Sequence, residues 1–138
     1  MKIVVSACLL GENCKYNGGN NYSKEVAQFV SGREVIPVCP ERLAGLGVPR
    51  TPIEIRDRPV ISSDGKDVTA ALNEAVGQIL AQLSAEDVEC VVLKSRSPTC
   101  GVKQVYDGTF TGTLVDGMGV LAKALADAGY KVLDAEDI

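Results

Sequence analysis

Thiols are the residues in this chain with the most chemistry to offer. Its 138 residues include five cysteines and no histidine. Cys8 stands in VSACLLGENCKYNGG, where small and branched residues run into a polar, glycine-bearing loop that carries Cys14. Cys39 follows EVIPV and precedes Pro40 and Glu41, and Cys100 closes RSPTC just before Gly101. Cys90 lies inside the apolar run CVVL and reads as a small buried hydrophobe. The same bland reading is open to the other three, because unpaired cysteines are often simply buried. Core cysteines, however, have apolar neighbours in regular structure, and these three adjoin turn residues. Glycine and proline beside a ligand let backbone amides turn toward sulfur. Spacing therefore favours a shared metal site at Cys8, Cys39 and Cys100, although no C-x-x-C pair supports it locally. Without histidine the mixed zinc sites are out of reach, and three or four thiolates fit either zinc or an iron–sulfur cluster. Cys14 divides the outcomes. As a fourth ligand it closes the site, and the site is then structural or electron-transferring. Without it, three thiolates leave one iron of a cubane open as a Lewis acid.

The elements that must position these thiols can be read from periodicity. KIVVSA (2–7), EVIPV (34–38) and VECVVLKS (88–95) are β-branched apolar runs without helical period, as expected of buried strands. KVLD (131–134) is a short last strand. SKEVAQFVSG (23–32) is a short helix with Ser23 as N-cap and Gly32 as its stop. DVTAALNEAVGQILAQL (67–83) is the clearest helix, with Leu72, Val76, Ile79 and Leu83 at helical spacing. GMGVLAKALADAG (117–129) is another, stopped by Gly129. Residues 41–66 read as a long irregular excursion, and 103–112 as a small hairpin around Asp107-Gly108. Alternating strands and helices predict one α/β domain over residues 1–138, three layers deep with a mostly parallel sheet. Ligands of such sheets sit outside the carboxyl ends of the strands. Cys8, Cys39 and Cys100 each follow a different strand, so the sheet would deliver all three to one edge.

Composition narrows the partners. Fourteen basic against eighteen acidic residues disfavour a broad nucleic-acid face, and the absence of tryptophan leaves few stacking platforms. No run is long and apolar enough to span a membrane. The opening MKIVVSACLLG has one basic residue and a very short apolar stretch, and reads as a strand rather than a signal peptide. A cytoplasmic protein with reduced thiols is expected, and the odd cysteine count fits that better than a disulfide framework. Oligomeric state is not legible.

Three blocks carry a family resemblance: SACLLG…CKYNGG, PVCPERLAGLGVPRTPIEI and LKSRSPTCG, spread over roughly residues 5–101. Together they resemble the bacterial 2-thiouracil desulfurases. The resemblance implies a Rossmann-like α/β domain with a 4Fe–4S cluster held by Cys8, Cys39 and Cys100, its fourth iron open to the sulfur of a thiolated base. The implied reaction turns 2-thiouracil into uracil and hydrogen sulfide. Cys14 falls where the family pattern does not require cysteine. Lys15 and Asn17 stand where arginine and aspartate are frequent, departures that touch substrate preference more than chemistry.

Replacing C=S by C=O needs a hold on sulfur, an attacking water and a proton acceptor. Without histidine the acceptor is a carboxylate or a less usual group. Glu41 is the first candidate, and the plain alternative is a carboxylate at a helix N-terminus; the resemblance tips the balance to catalysis. Glu54 is the second, with a structural ion pair as its alternative. Ser97 is assigned to catalysis, by bonding substrate or a cluster sulfide, against a local turn role before Pro98. Ser6, Tyr16, Asn17 and Arg50 are expected to bind substrate, with loop organisation the commoner role for an arginine like Arg50. The competing readings are a non-catalytic iron–sulfur protein moving electrons or sulfur, with Cys14 as fourth ligand, and a structural zinc domain.

Overall fold

A computed structural model describes residues 1–47, 51–55 and 59–138. Its centre is a four-stranded sheet of β1 (Lys2–Ser6), β2 (Glu34–Val38), β5 (Val88–Leu93) and β8 (Val132–Asp134). The strand order is β2-β1-β5-β8, and every pairing within it is parallel. Parallel strands need crossovers, and those crossovers cover both faces. Val4, Val91 and Leu93 point to one face, where they pack in a single cluster with Val76, Ile79, Leu83, Leu121 and Leu125. These belong to α3 (Thr69–Leu83) and α4 (Val120–Asp127). Ile3, Val5, Cys90 and Val92 point the other way and join Leu9, Val26 and Val30, with Val26 on α1 (Lys24–Phe29). The three layers follow from this period-two alternation. Each fully buried Leu or Ile in them stabilises by about 1.5–3 kcal/mol.

Local signals agree with the packing. Ser23 caps α1 by accepting a hydrogen bond from Val26 N at 3.2 Å. Gly32, which ends that segment, has φ 77° in the left-handed region that glycine enters at little cost. The β2 bounds match the sequence reading of EVIPV, and α3 ends at Leu83 as the periodicity predicts.

Two readings need correction. The stretch 41–66 is not irregular throughout. It holds α2 (Pro40–Leu43) at its start and an antiparallel pair, β3 (Ile53–Ile55) with β4 (Val60–Ser62). These strands are three residues each, too short to show a period. Burial of Ile53 and Val60 against Leu72 of α3 holds them in place. The expected hairpin at 103–112 is longer: β6 (Gln104–Tyr106) pairs with β7 (Leu114–Asp116) across a seven-residue connection, 107–113. Short 3-10 helices at Ala7–Leu10 and Ala135–Asp137 add to the expected elements. Among the described residues no helix is long and apolar enough to cross a membrane.

Candidate metal and substrate site

From β1 the chain crosses to β2 on one side, and from β2 it passes back to β5 on the other side of β1. That reversal opens a crevice at the carboxyl ends of the strands, where open α/β sheets take their ligands. Ser6 and Val38 are register partners at the ends of β1 and β2, so Cys8 and Cys39 leave neighbouring strands close together. Cys100 arrives from the turn after β5. Cys8, Cys14, Cys39 and Cys100 all line one cavity of about 500 Å³. None of the five cysteines forms a disulfide, and Cys90 lies in the core as its apolar run predicts.

The Cys100 seat is built from backbone. Val120 N donates to Pro98 O at 3.0 Å, Leu121 N to Thr99 O at 2.8 Å and Gly119 N to Gly101 O at 2.7 Å. The first amides of α4, which lack intrahelical partners, are thus satisfied by the turn that carries the thiol. Close contact requires Gly119, since a Cβ there would sit 2.5 Å from Thr99 C and 2.8 Å from Cys100 N. Ser97 Oγ accepts from Thr99 N at 3.2 Å and Cys100 N at 3.1 Å, a turn-forming role. Thr99 Oγ1 donates to Cys100 Sγ at 3.7 Å, and the Ser97 hydroxyl lies 3.1 Å from Thr99 Oγ1. Ser6 Oγ accepts from Lys94 N at 2.9 Å, tying β1 to β5, and its hydroxyl bonds the Cys100 sulfur.

Burial pushes the Cys100 thiol up to about 12, against the opposing pull of the Ser6 and Thr99 hydrogen bonds. Glu41 adds to the upward push by its negative charge. Burial also raises Cys14 to about 12, helped by the charge of Cys39 and a hydrogen bond with it, while Arg42 pulls the other way. Cys8 is raised by burial too, offset by a hydrogen bond from the Asn21 side chain and by the charge of Lys94. At Cys8, Cys14 and Cys100 burial thus disfavours the thiolate until a cation arrives to compensate the charge. Among the described residues no group of three or more histidine, cysteine, aspartate or glutamate side chains could hold a single metal ion. Soft sulfur donors around the cavity suit zinc or an iron–sulfur cluster rather than a hard cation.

The other expected site residues fall as follows. Glu41 is the second residue of α2, half-exposed on the cavity wall. Tyr16 borders the cavity as an exposed residue, and Lys15 Nζ lies 6.0 Å from the centroid of its ring. Asn17 does not line the cavity: its Oδ1 accepts from Gly19 N at 3.0 Å in a local turn. Arg50 lies outside the described residues. Glu54 reaches the cavity, and its Oε1 accepts from Gly108 N and Phe110 N at 3.0 and 3.2 Å. Two residues were missed. Asn21, inside the discounted NGGNN run, bonds Cys8 through its side chain, and its backbone N donates to Cys8 O at 2.9 Å. Lys94 was legible as a charge ending a buried strand at the functional edge of the sheet.

Residues 3–137 match the family model described as 2-thiouracil desulfurase. The chain belongs to that family. YbbK of Bacillus subtilis (strain 168), itself uncharacterised, is 34% identical over 146 residues, covering 99% of this chain and 97% of that protein. The solved structure of the 4Fe–4S-dependent thiouracil desulfidase TudS aligns with a TM-score of 0.92 at 32% identity, covering 99% of this chain and 92% of that one. The family resemblance of the three sequence blocks is borne out, and so is the three-layer fold with its parallel sheet.

Proposed function

We propose that this protein is a 4Fe–4S-dependent desulfurase of a small thiolated pyrimidine such as 2-thiouracil, working in the cytoplasm, with Cys8, Cys39 and Cys100 holding the cluster. The observation that carries the reading is the convergence of these three thiols on one cavity at the carboxyl edge of the sheet. When bound there, the cluster supplies a soft Lewis acid for the sulfur of the substrate. The chain does the rest. The Ser6 and Thr99 hydroxyls bond the Cys100 sulfur and stabilise it as a thiolate, while the Asn21 side chain by a hydrogen bond and Lys94 by its charge favour the thiolate of Cys8. Glu41, on the same cavity, takes the proton of the water that attacks the thiocarbonyl carbon. The sum is water plus C=S giving C=O and hydrogen sulfide, with no net oxidation. Ser97 holds the turn that presents Cys100, while Ser6 and Tyr16 border the space a pyrimidine would take.

Anaerobic reconstitution with iron and sulfide tests the reading. Visible and EPR spectra are recorded with and without 2-thiouracil, and sulfide release is followed in the same sample. The expected result is a cluster whose signal shifts with substrate, and sulfide in proportion to uracil. Turnover that persists after iron is removed would sink it. Cys14 favours a second reading, a closed four-thiolate centre without catalysis, because it is buried beside Cys39 on the same cavity. A cluster indifferent to 2-thiouracil in the parent chain, but responsive in Cys14→Ser, would favour that reading.

A further inference from the structure

The 107–113 connection has an unusual backbone. Gly108, Phe110 and Gly112 have φ of 91°, 58° and 79°. Glycine adopts such values cheaply, but Phe110 does so only under constraint from its surroundings. The constraint is visible. Asp107 N donates to Thr113 O at 2.9 Å and closes the neck of the loop. Asp107 Oδ1 accepts from Thr109 N at 3.0 Å. At the centre, Glu54 Oε1 takes both Gly108 N and Phe110 N, more than fifty residues away in sequence. A carboxylate is the strongest acceptor a side chain offers to backbone amides. Glu54 belongs to β3, whose Ile53 is anchored in a cluster of its own with Val60 and Leu72, so it is a fixed post. The loop it holds matters to the cavity, since Tyr106, Gly112 and Glu54 line the same space as the thiols.

We propose that Glu54 is a positioning residue: it holds the 107–113 loop as one wall of the substrate cavity and does not itself move a proton. The role rests on the desulfurase reading of that cavity. Holding this wall fixes the space into which a ring substrate fits, so its loss weakens substrate binding more than it slows chemistry. The part of Glu54 that matters is an acceptor oxygen, which glutamine keeps and alanine lacks.

The test uses the reconstituted full chain, 2-thiouracil turnover, and hydrogen–deuterium exchange of the peptide spanning 104–116 read by mass spectrometry. Glu54→Ala should speed exchange in that peptide and raise KM about tenfold, with kcat within about threefold of the parent. Glu54→Gln should restore both readouts to within about threefold of the parent. A Glu54→Gln chain that loses kcat while its loop stays protected would make Glu54 a proton carrier and overturn the proposal. Unchanged exchange in Glu54→Ala would overturn it as well, and if that variant fails to fold, Glu54→Gln still decides. A parent chain that released no sulfide, with exchange in the loop still rising on Glu54→Ala, would count against the desulfurase reading while supporting the hold of Glu54 on the loop.

Discussion

Cys100 and Cys8 face one cavity with side chains supporting both sulfurs, but their seats differ in how tightly the backbone around them is packed. Cys100 sits in a turn bound by backbone hydrogen bonds to the first turn of α4, with a glycine at the point of closest approach. Cys8 sits in a 3-10 helix that ends at Gly11 with φ 93° and leads into an exposed polar loop. Its sulfur is supported by side chains, the Asn21 amide and the Lys94 charge. Local turns shape that loop, with Asn17 Oδ1 accepting from Gly19 N and Asn20 Oδ1 from Tyr22 N. A tightly packed backbone fixes position and is sensitive to steric intrusion. Side-chain support tunes a charge and tolerates change by small amounts.

The largest test of that contrast is Gly119→Ala. The added Cβ meets backbone atoms of Thr99 and Cys100, which cannot rotate away. A loss of about 1–3 kcal/mol in urea unfolding is expected, together with a sharp fall in iron bound per chain. A variant that loads a full complement of iron would break the comparison.

The next effect is a pH dependence. The folded chain holds the Cys100 thiol at about 12, well above its ordinary value of 9.0. A raised thiol pKa means that the folded state keeps its proton where the unfolded state has lost it. This contribution to stability is complete below the unfolded value and is lost as pH rises from about 9 toward about 12. Cluster-free, reduced protein should therefore unfold at lower urea with rising alkalinity. Cys100→Ala should flatten that slope, leaving the part due to Cys8, Cys14 and Cys90, whose thiols are raised in the same direction.

Asn21→Ala should do less to stability, within about 1 kcal/mol, since one hydrogen bond at a partly exposed site is lost. Its signature is electrostatic. Asn21 pulls the Cys8 thiol down, so its removal should move the pH midpoint of iron uptake upward, because ligation needs the thiolate. A midpoint that stays put would assign the tuning of Cys8 to Lys94 instead. Smallest of all is Arg42→Ala. Its 2.9 Å ion pair with Glu12 joins α2 to the loop of Cys14, but both side chains are substantially exposed. A change of about 0.2–1 kcal/mol in thermal unfolding is expected, shrinking with added salt.

Much of this arrangement was legible in the residue order, and the parts that were not share a cause. The long helix was readable from its apolar periodicity, and the strands of the central sheet from continuous β-branched apolar runs bounded by turn residues. With the strands known, the carboxyl-edge rule placed Cys8, Cys39 and Cys100 together, and the turn residues around each separated them from Cys90. The stretch 41–66 was misread because α2 has four residues and β3 and β4 three each, too few for any period to show. The end of the β6–β7 hairpin was misread for the same reason: Asp107-Gly108 is a strong local turn signal, yet the pairing runs on to Asp116.

By itself, then, the sequence determined a parallel α/β sheet and three thiols delivered to its functional edge, because burial patterns and turn residues act locally. Only the tertiary structure decided which groups those thiols meet. Asn21 and the charge of Lys94 at Cys8, Ser6 at Cys100, and Glu54 at the distant 107–113 loop are interactions between separate elements. They exist because the sheet and helices first bring their backbones together, and no spacing along the chain encodes them.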